Sequence, residues 1–154
     1  MTALPPLLHL PDEATYRQHF VDTYCRGAIE THDGIRVFFR QHQFDHAFYE
    51  STNRDGVKDA FSWVRAERMN WIGATLTDPV AVRYQGWVAR TRSYSPARRV
   101  DLLYEDFVVV LGLGLNRDGA LRANFITCFQ ADNSVAKIRT SPLWTREDCL
   151  NALR

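Results

Sequence analysis

The sequence predicts an α+β domain in which N-terminal helices pack on one face of a four- to five-stranded antiparallel sheet. Apolar residues recur at helical spacing in two early segments, and after Pro79 the chain breaks into short β-branched and aromatic runs separated by turn residues. Helices first and strands afterwards place the helices together on one side of the sheet. The 154 residues, 45% of them hydrophobic, suit one domain that buries a core without disulfides or metal. Residues 1–11 read as an extended, proline-rich arm and 12–154 as the domain.

Asp12 offers an N-cap for a helix running to about Glu30, with Tyr16, Phe20, Tyr24 and Ile29 near one face. His32-Asp33-Gly34 is a turn, Ile35–Phe39 a strand, and residues 41–50 a short helical or turn segment. A helix is predicted over about 57–76, stopped by Thr77-Asp78-Pro79. Strands are predicted at Val80–Tyr84, Trp87–Arg92, Val100–Tyr104, Phe107–Gly112 and Ala120–Gln130, with Asn116-Arg117-Asp118-Gly119 as a hairpin loop. Ser134–Arg139 adds a last strand, and Thr145 caps a terminal helix reaching Leu153.

The positive charge is almost all arginine: of 19 basic residues only Lys58 and Lys137 are lysines. Against 18 acids the net charge is +1, so composition does not imply a protein that coats nucleic acid. Position is more informative. Residues 1–77 carry 8 basic and 10 acidic side chains (−2), and residues 78–154 carry 11 and 8 (+3). Between Pro79 and Val100 there is no acid, yet Arg83, Arg90, Arg92, Arg98 and Arg99 fall there, interleaved with Tyr84, Trp87 and Tyr94. That interleaving fits a phosphate groove with stacking platforms. It fits equally a solvated sheet face whose aromatics point inward.

Cys25, Cys128 and Cys149 are odd in number and far apart, forming neither a disulfide framework nor a metal motif. The opening residues lack a basic region and contain Pro5, Pro6 and Pro11, unlike a signal peptide, and no long uncharged apolar run suggests a membrane span. A cytoplasmic protein without a membrane partner or cofactor is expected.

His42 and His46 are four apart and share a helix face, but no third metal ligand has suitable spacing, so no metal is assigned. A histidine there suits general acid–base chemistry near neutral pH, or a purely structural role. Arg65 and Arg68 are helix neighbours able to hold a phosphate or to form surface ion pairs. Gly112-Leu-Gly114 follows a strand but leads into a hairpin, which excludes a dinucleotide or P-loop. Thr127 is the one hydroxyl in the run Phe125–Phe129.

The ordered pieces IRVFF, FDHAFYES, KDAFSWVRAERMNWI, RRV, FVVVL, ANFITCF and KIRTSPLW, spanning about residues 34–144, resemble the phage-associated barnase–EndoU–colicin–RelE (BECR-fold) nucleases. The resemblance implies a metal-independent endoribonuclease that uses 2′-hydroxyl attack, as a toxin or phage-derived effector, with RNA as substrate and an antitoxin or immunity protein as partner. It implies His46 as the catalytic histidine, Arg65 or Arg68 as the helix arginine and Thr127 as the late-strand hydroxyl. No second histidine falls in the predicted sheet, so His42 or Tyr104 supplies the general acid. Arg99 joins the charge stabilisers, and Arg90, Arg92, Tyr94, Arg98 and Trp71 are candidate substrate contacts. The rival expectations are a non-catalytic RNA- or protein-binding module and a phage structural accessory protein.

Overall fold

Asp12 starts the first helix, α1 (Glu13–Phe20). Its carboxylate accepts from the Thr15 amide at 2.8 Å and the Thr15 hydroxyl at 2.6 Å, occupying donors that a helix start leaves free. The computed structural model describes residues 4–154, so the first three residues of the predicted arm lie outside the described residues. The remainder of the arm has no regular structure but is tied down: Leu8 N donates to Glu67 O at 2.7 Å, and the Tyr16 hydroxyl donates to Leu8 O at 2.6 Å.

The first helix does not reach Glu30. It widens into a π-helical turn at Val21–Cys25 and stops, and Ile29–Glu30 form a short strand, β1. The turn keeps Tyr24 in the core, where its hydroxyl donates to Met69 O at 2.6 Å and accepts from Gly73 N at 3.0 Å. Strand β2 (Arg36–Phe38) leads into α2 (Gln43–Ala47), and β3 (Tyr49–Glu50) pairs with β4 (Ala60–Phe61) as a small separate hairpin. The helix expected over 57–76 is therefore interrupted. Its first residues are loop and β4, and the rest divides at Arg68 into α3 (Trp63–Glu67), capped by Ser62, and α4 (Met69–Thr77).

The sheet is larger than expected and mixed. β5 (Val82–Val88), β6 (Ser93–Tyr104), β7 (Phe107–Leu115) and β8 (Leu121–Gln130) form an antiparallel meander, and the whole order is β1-β2-β8-β7-β6-β5. The pairing of β2 with β8 is parallel, with Arg36 opposite Arg122 and Phe38 opposite Asn124. The two short strands predicted around Gln85 merge into β5, because an irregularity on β6 absorbs residues 96–99 and lets β5 run through. Ser134–Arg139 is helical, not extended. A 3₁₀ turn (Asp132–Ser134) leads into α5 (Val135–Arg139), whose Val135 and Ile138 share one face and pack on the sheet. The last helix, α6 (Arg146–Leu153), starts at Thr145 as expected.

The inner face of the sheet carries the main core. Val100, Leu102, Val109, Leu111, Ala123 and Phe125 pack against Tyr16, Phe20, Phe44, Phe48, Met69, Ile72 and Leu76 from the helices. Phe20 sits at its centre, with ring centroids of Phe39, Phe44, Phe48 and Phe125 5.7–6.0 Å away. The outer face has a smaller cluster of Tyr84, Leu103, Val108 and Val110 under α5. Residues 141–145 pass along the β5 edge, with Gln85 N donating to Pro142 O at 2.8 Å, and carry the chain back to α6. No helix among the described residues is long and apolar enough to cross a membrane.

Candidate functional site

β2 ends its pairing at Phe38, so the outer edge of β8 is free beyond Asn124. Helix α2 fills that edge. The Gln43 side-chain amide donates to Phe125 O at 3.2 Å and Ile126 O at 2.9 Å, where a bulge in β8 leaves Ile126 without a partner on β7. Phe44 and Ala47 bury the other side of α2, which leaves His46 exposed. His42 immediately precedes the helix and is also exposed.

Arg65 is fixed behind this helix. Its Nη1 donates to Ala47 O at 3.1 Å, satisfying a carbonyl at the end of α2, and its Nε lies 3.7 Å from Glu50 Oε1. Glu50 Oε1 also accepts from the Ser62 hydroxyl at 3.0 Å, so the N-cap of α3 and the arginine share one carboxylate. The His46 pKa is lowered, first by partial burial and then by the positive charges of Lys58, Arg65 and Arg99. Burial and nearby positive charge both disfavour the imidazolium, so the same surroundings that favour a free base also attract an anion.

Arg99 lies on β6, two residues before Asp101, and both alternate with the core residues Val100 and Leu102, so both belong to the outer face. Asp101 is opposite Val110, which is opposite Thr127, placing Thr127 on the same face. Burial raises the Asp101 pKa and Arg99 opposes the rise. Gly86 of β5 makes room for Arg99: a Cβ there would stand 2.7 Å from both Cβ and Cγ of the arginine.

The structure therefore brings His46, Arg65 and Arg99 into one electrostatic neighbourhood, with His42 beside α2 and Thr127 on the outer face. Other expected residues go elsewhere. Arg68 donates from Nη1 to Val64 O at 2.8 Å and lies over the Trp71 ring, while the Trp71 indole donates to Pro5 O at 2.6 Å and meets Phe107 edge-on. Trp71 thus docks the N-terminal arm, and Arg68 packs on its ring. Tyr104 is buried at the β6–β7 turn, the last residue of β6 and five beyond Arg99, where burial first and then the nearby Asp78 and Glu105 raise its pKa. Arg90 and Arg92 sit at the exposed β5–β6 turn, Arg98 is exposed in the β6 irregularity, and Tyr94 meets Trp87 edge-on at 5.2 Å. Lys58, Asp101 and Gln43 were not legible as site residues. Only the tertiary packing brings them to the β8 edge or its outer face.

Among the described residues no group of three or more His, Cys, Asp or Glu is placed to hold a metal ion. The three cysteines are unpaired; Cys128 is buried and its thiol pKa is pushed up to about 12, the behaviour of a small core residue. The class that fold and site define is a mixed α+β domain with an exposed histidine on the helix that covers a sheet edge. No family model, curated protein or solved structure matches this chain.

Proposed function

We propose that the protein is a metal-independent endoribonuclease, a reading that rests chiefly on His46, exposed on the helix seated at the β8 edge, with Lys58, Arg65 and Arg99 near enough to lower its pKa. His46 takes the proton from a ribose 2′-hydroxyl, the 2′-oxygen attacks phosphorus, and the bond to the 5′-oxygen breaks. The products are a 2′,3′-cyclic phosphate and a free 5′-hydroxyl. Arg65 and Arg99 balance charge on the phosphoryl oxygens, and Thr127 donates a hydrogen bond to one of them. The proton for the departing 5′-oxygen comes from Asp101, whose burial favours the protonated acid. The resemblance of the chain to BECR-fold nucleases supports the same chemistry and the expectation of a toxin-like role in the cytoplasm with a neutralising partner.

Purified protein is expected to cut total RNA or tRNA in excess EDTA, leaving cyclic-phosphate ends. His46→Ala lowers the rate by about 10²–10⁴-fold, the usual worth of a general base, with an unchanged far-UV CD spectrum. Asp101→Asn removes the fall in rate at high pH. Full activity of His46→Ala, or intact RNA with the wild-type protein, refutes the assignment. Salt-sensitive RNA binding without new termini favours a non-catalytic binding module.

A further inference from the structure

The half of the outer sheet face that α5 leaves open carries a second arrangement, next to the histidine site and sharing only Arg99 with it. Arg36 of β2 and Arg122 of β8 stand directly opposite each other, and neither has a carboxylate within 4.0 Å among the described residues. Like charges facing each other across a strand pair destabilise a sheet. Both guanidiniums lie over the ring of Phe38, at 5.1 Å and 5.2 Å, and that ring is 36% exposed. Glu30, opposite Arg36 on its other side, is no closer than salt-bridge range allows. The pair is thus arranged for a negatively charged group from outside the chain.

Beside it the sheet is bare at Gly114, which is opposite Arg122: a Cβ there would meet nothing within 4 Å, so the space above it is open. Gly112, opposite both Asn124 and Arg99, makes room instead for the Ile126 side chain, whose Cδ1 lies 3.3 Å from where a Cβ would stand. This accounts for Gly112-Leu-Gly114, the motif that fitted no phosphate-binding loop: Leu113 packs inward, Gly112 seats Ile126, and Gly114 leaves an open floor beside the arginine pair. Asn124, beside the floor, has its Oδ1 enclosed without a partner among the described residues. Arg99, opposite Gly112, stands on the far side of this trough.

We infer that this trough binds single-stranded RNA flanking the reacting phosphate, with one phosphodiester held by Arg36 and Arg122 and a base stacked on Phe38. It rests on the ribonuclease reading for the identity of its ligand. Two arginines in fork geometry suit phosphate oxygens, an exposed aromatic between them suits a base, and a glycine floor admits a close backbone. Two acids opposite two forks would satisfy the charges alone and leave Phe38 and the floor unused.

The test is fluorescence anisotropy with a labelled 12-nucleotide single-stranded RNA, made on the His46→Ala protein so that cutting does not intervene. Gly114→Val fills the trough where the fold has room. It is expected to leave the melting temperature equal or higher and to weaken RNA binding by about tenfold, the scale of one lost stacking or phosphate contact. Arg36→Gln with Arg122→Gln is expected to weaken binding further and reduce the salt dependence by about one counterion or more. A folded Gly114→Val protein with wild-type affinity and salt slope overturns the trough, whatever the cleavage assay shows. Absence of RNA binding, or equal binding of poly-glutamate, overturns it as well, the latter in favour of an acidic protein partner. Weakened binding in a protein that never cuts RNA supports the trough and refutes only the ribonuclease reading.

Discussion

On the inner face of the sheet, Leu102, Val109, Leu111 and Phe125 meet helices that cover them, and they join the aromatic cluster around Phe20. On the outer face the same strands present Arg99, Asp101, Asn124 and Arg122, and α5 covers only the end built from Tyr84, Leu103 and Val108. One face contributes stability by burying volume. The other carries like charges in register, a bare glycine and a carboxylate whose burial disfavours its charged form, all of which lower stability. Features that cost free energy and have no use in the fold are where function is to be sought.

The contrast can be broken most forcefully from the inner side. Phe125→Ala removes a ring stacked on Phe39 at 4.9 Å and is expected to cost about 3–5 kcal/mol in denaturant unfolding, whereas outer-face Gly114→Val costs none. Comparable losses from both would erase the distinction between the faces.

A smaller effect is expected at the β5 edge, where the β1–β2 turn is tied to β5 and α6. Asp33 accepts from Arg83 Nη1 at 2.9 Å and lies 3.6 Å from Arg146 Nη1 of α6; Arg83 also donates to His32. Although burial alone would raise the Asp33 pKa, the hydrogen bonds and charge of Arg83 bring it down to about 2. A carboxylate with a depressed folded pKa adds stability that is present above its ordinary pKa and is lost as pH falls toward 2. Asp33→Asn is therefore expected to cost about 2 kcal/mol at pH 7, seen as a fall in Tm of roughly 4–8 °C. The difference from wild type should shrink on acidification, and a constant difference down to pH 2 would contradict the ion pair.

The smallest effect sharpens the outer face itself. His46 should titrate below its ordinary value by NMR, and Arg99→Gln or Arg65→Gln should each raise its pKa, as expected for removing one partly screened charge. The acid limb of the activity profile should move up with it. No movement in either variant would separate those arginines from the histidine.

Much of the fold was legible wherever the signal is local. Asp12 and Thr145 marked helix starts by their side-chain caps, and Asn116–Gly119 marked a hairpin that the Asn116 amide closes on Ala120 O at 2.8 Å. The interruption at Arg68 and the helical state of residues 135–139 were not legible, because both are decided by what the segment packs against: Trp71 on one side and Val108 on the other. The parallel β2–β8 pair lies beyond reach of local pattern for the same reason. For the site, residue type was informative and position was not. His46 stood out by its chemistry, but Lys58 and Arg99 reach it only through the fold. Arg36 and Arg122 each read as an ordinary polar residue alternating with core positions. Their meaning arises from the register that sets them face to face.

That register also governs when the protein becomes competent during its synthesis. Strand β2 and helix α2 leave the ribosome early, but their partner β8 is made only after the β5–β7 meander. Until then the edge that seats α2 does not exist, and His46 has neither Arg99 nor a sheet beside it. Long-range pairing of this kind closes late in folding. On the reading proposed above, the nascent chain is harmless to the translating machinery that produces it, and activity arrives only once β8 is free to pair.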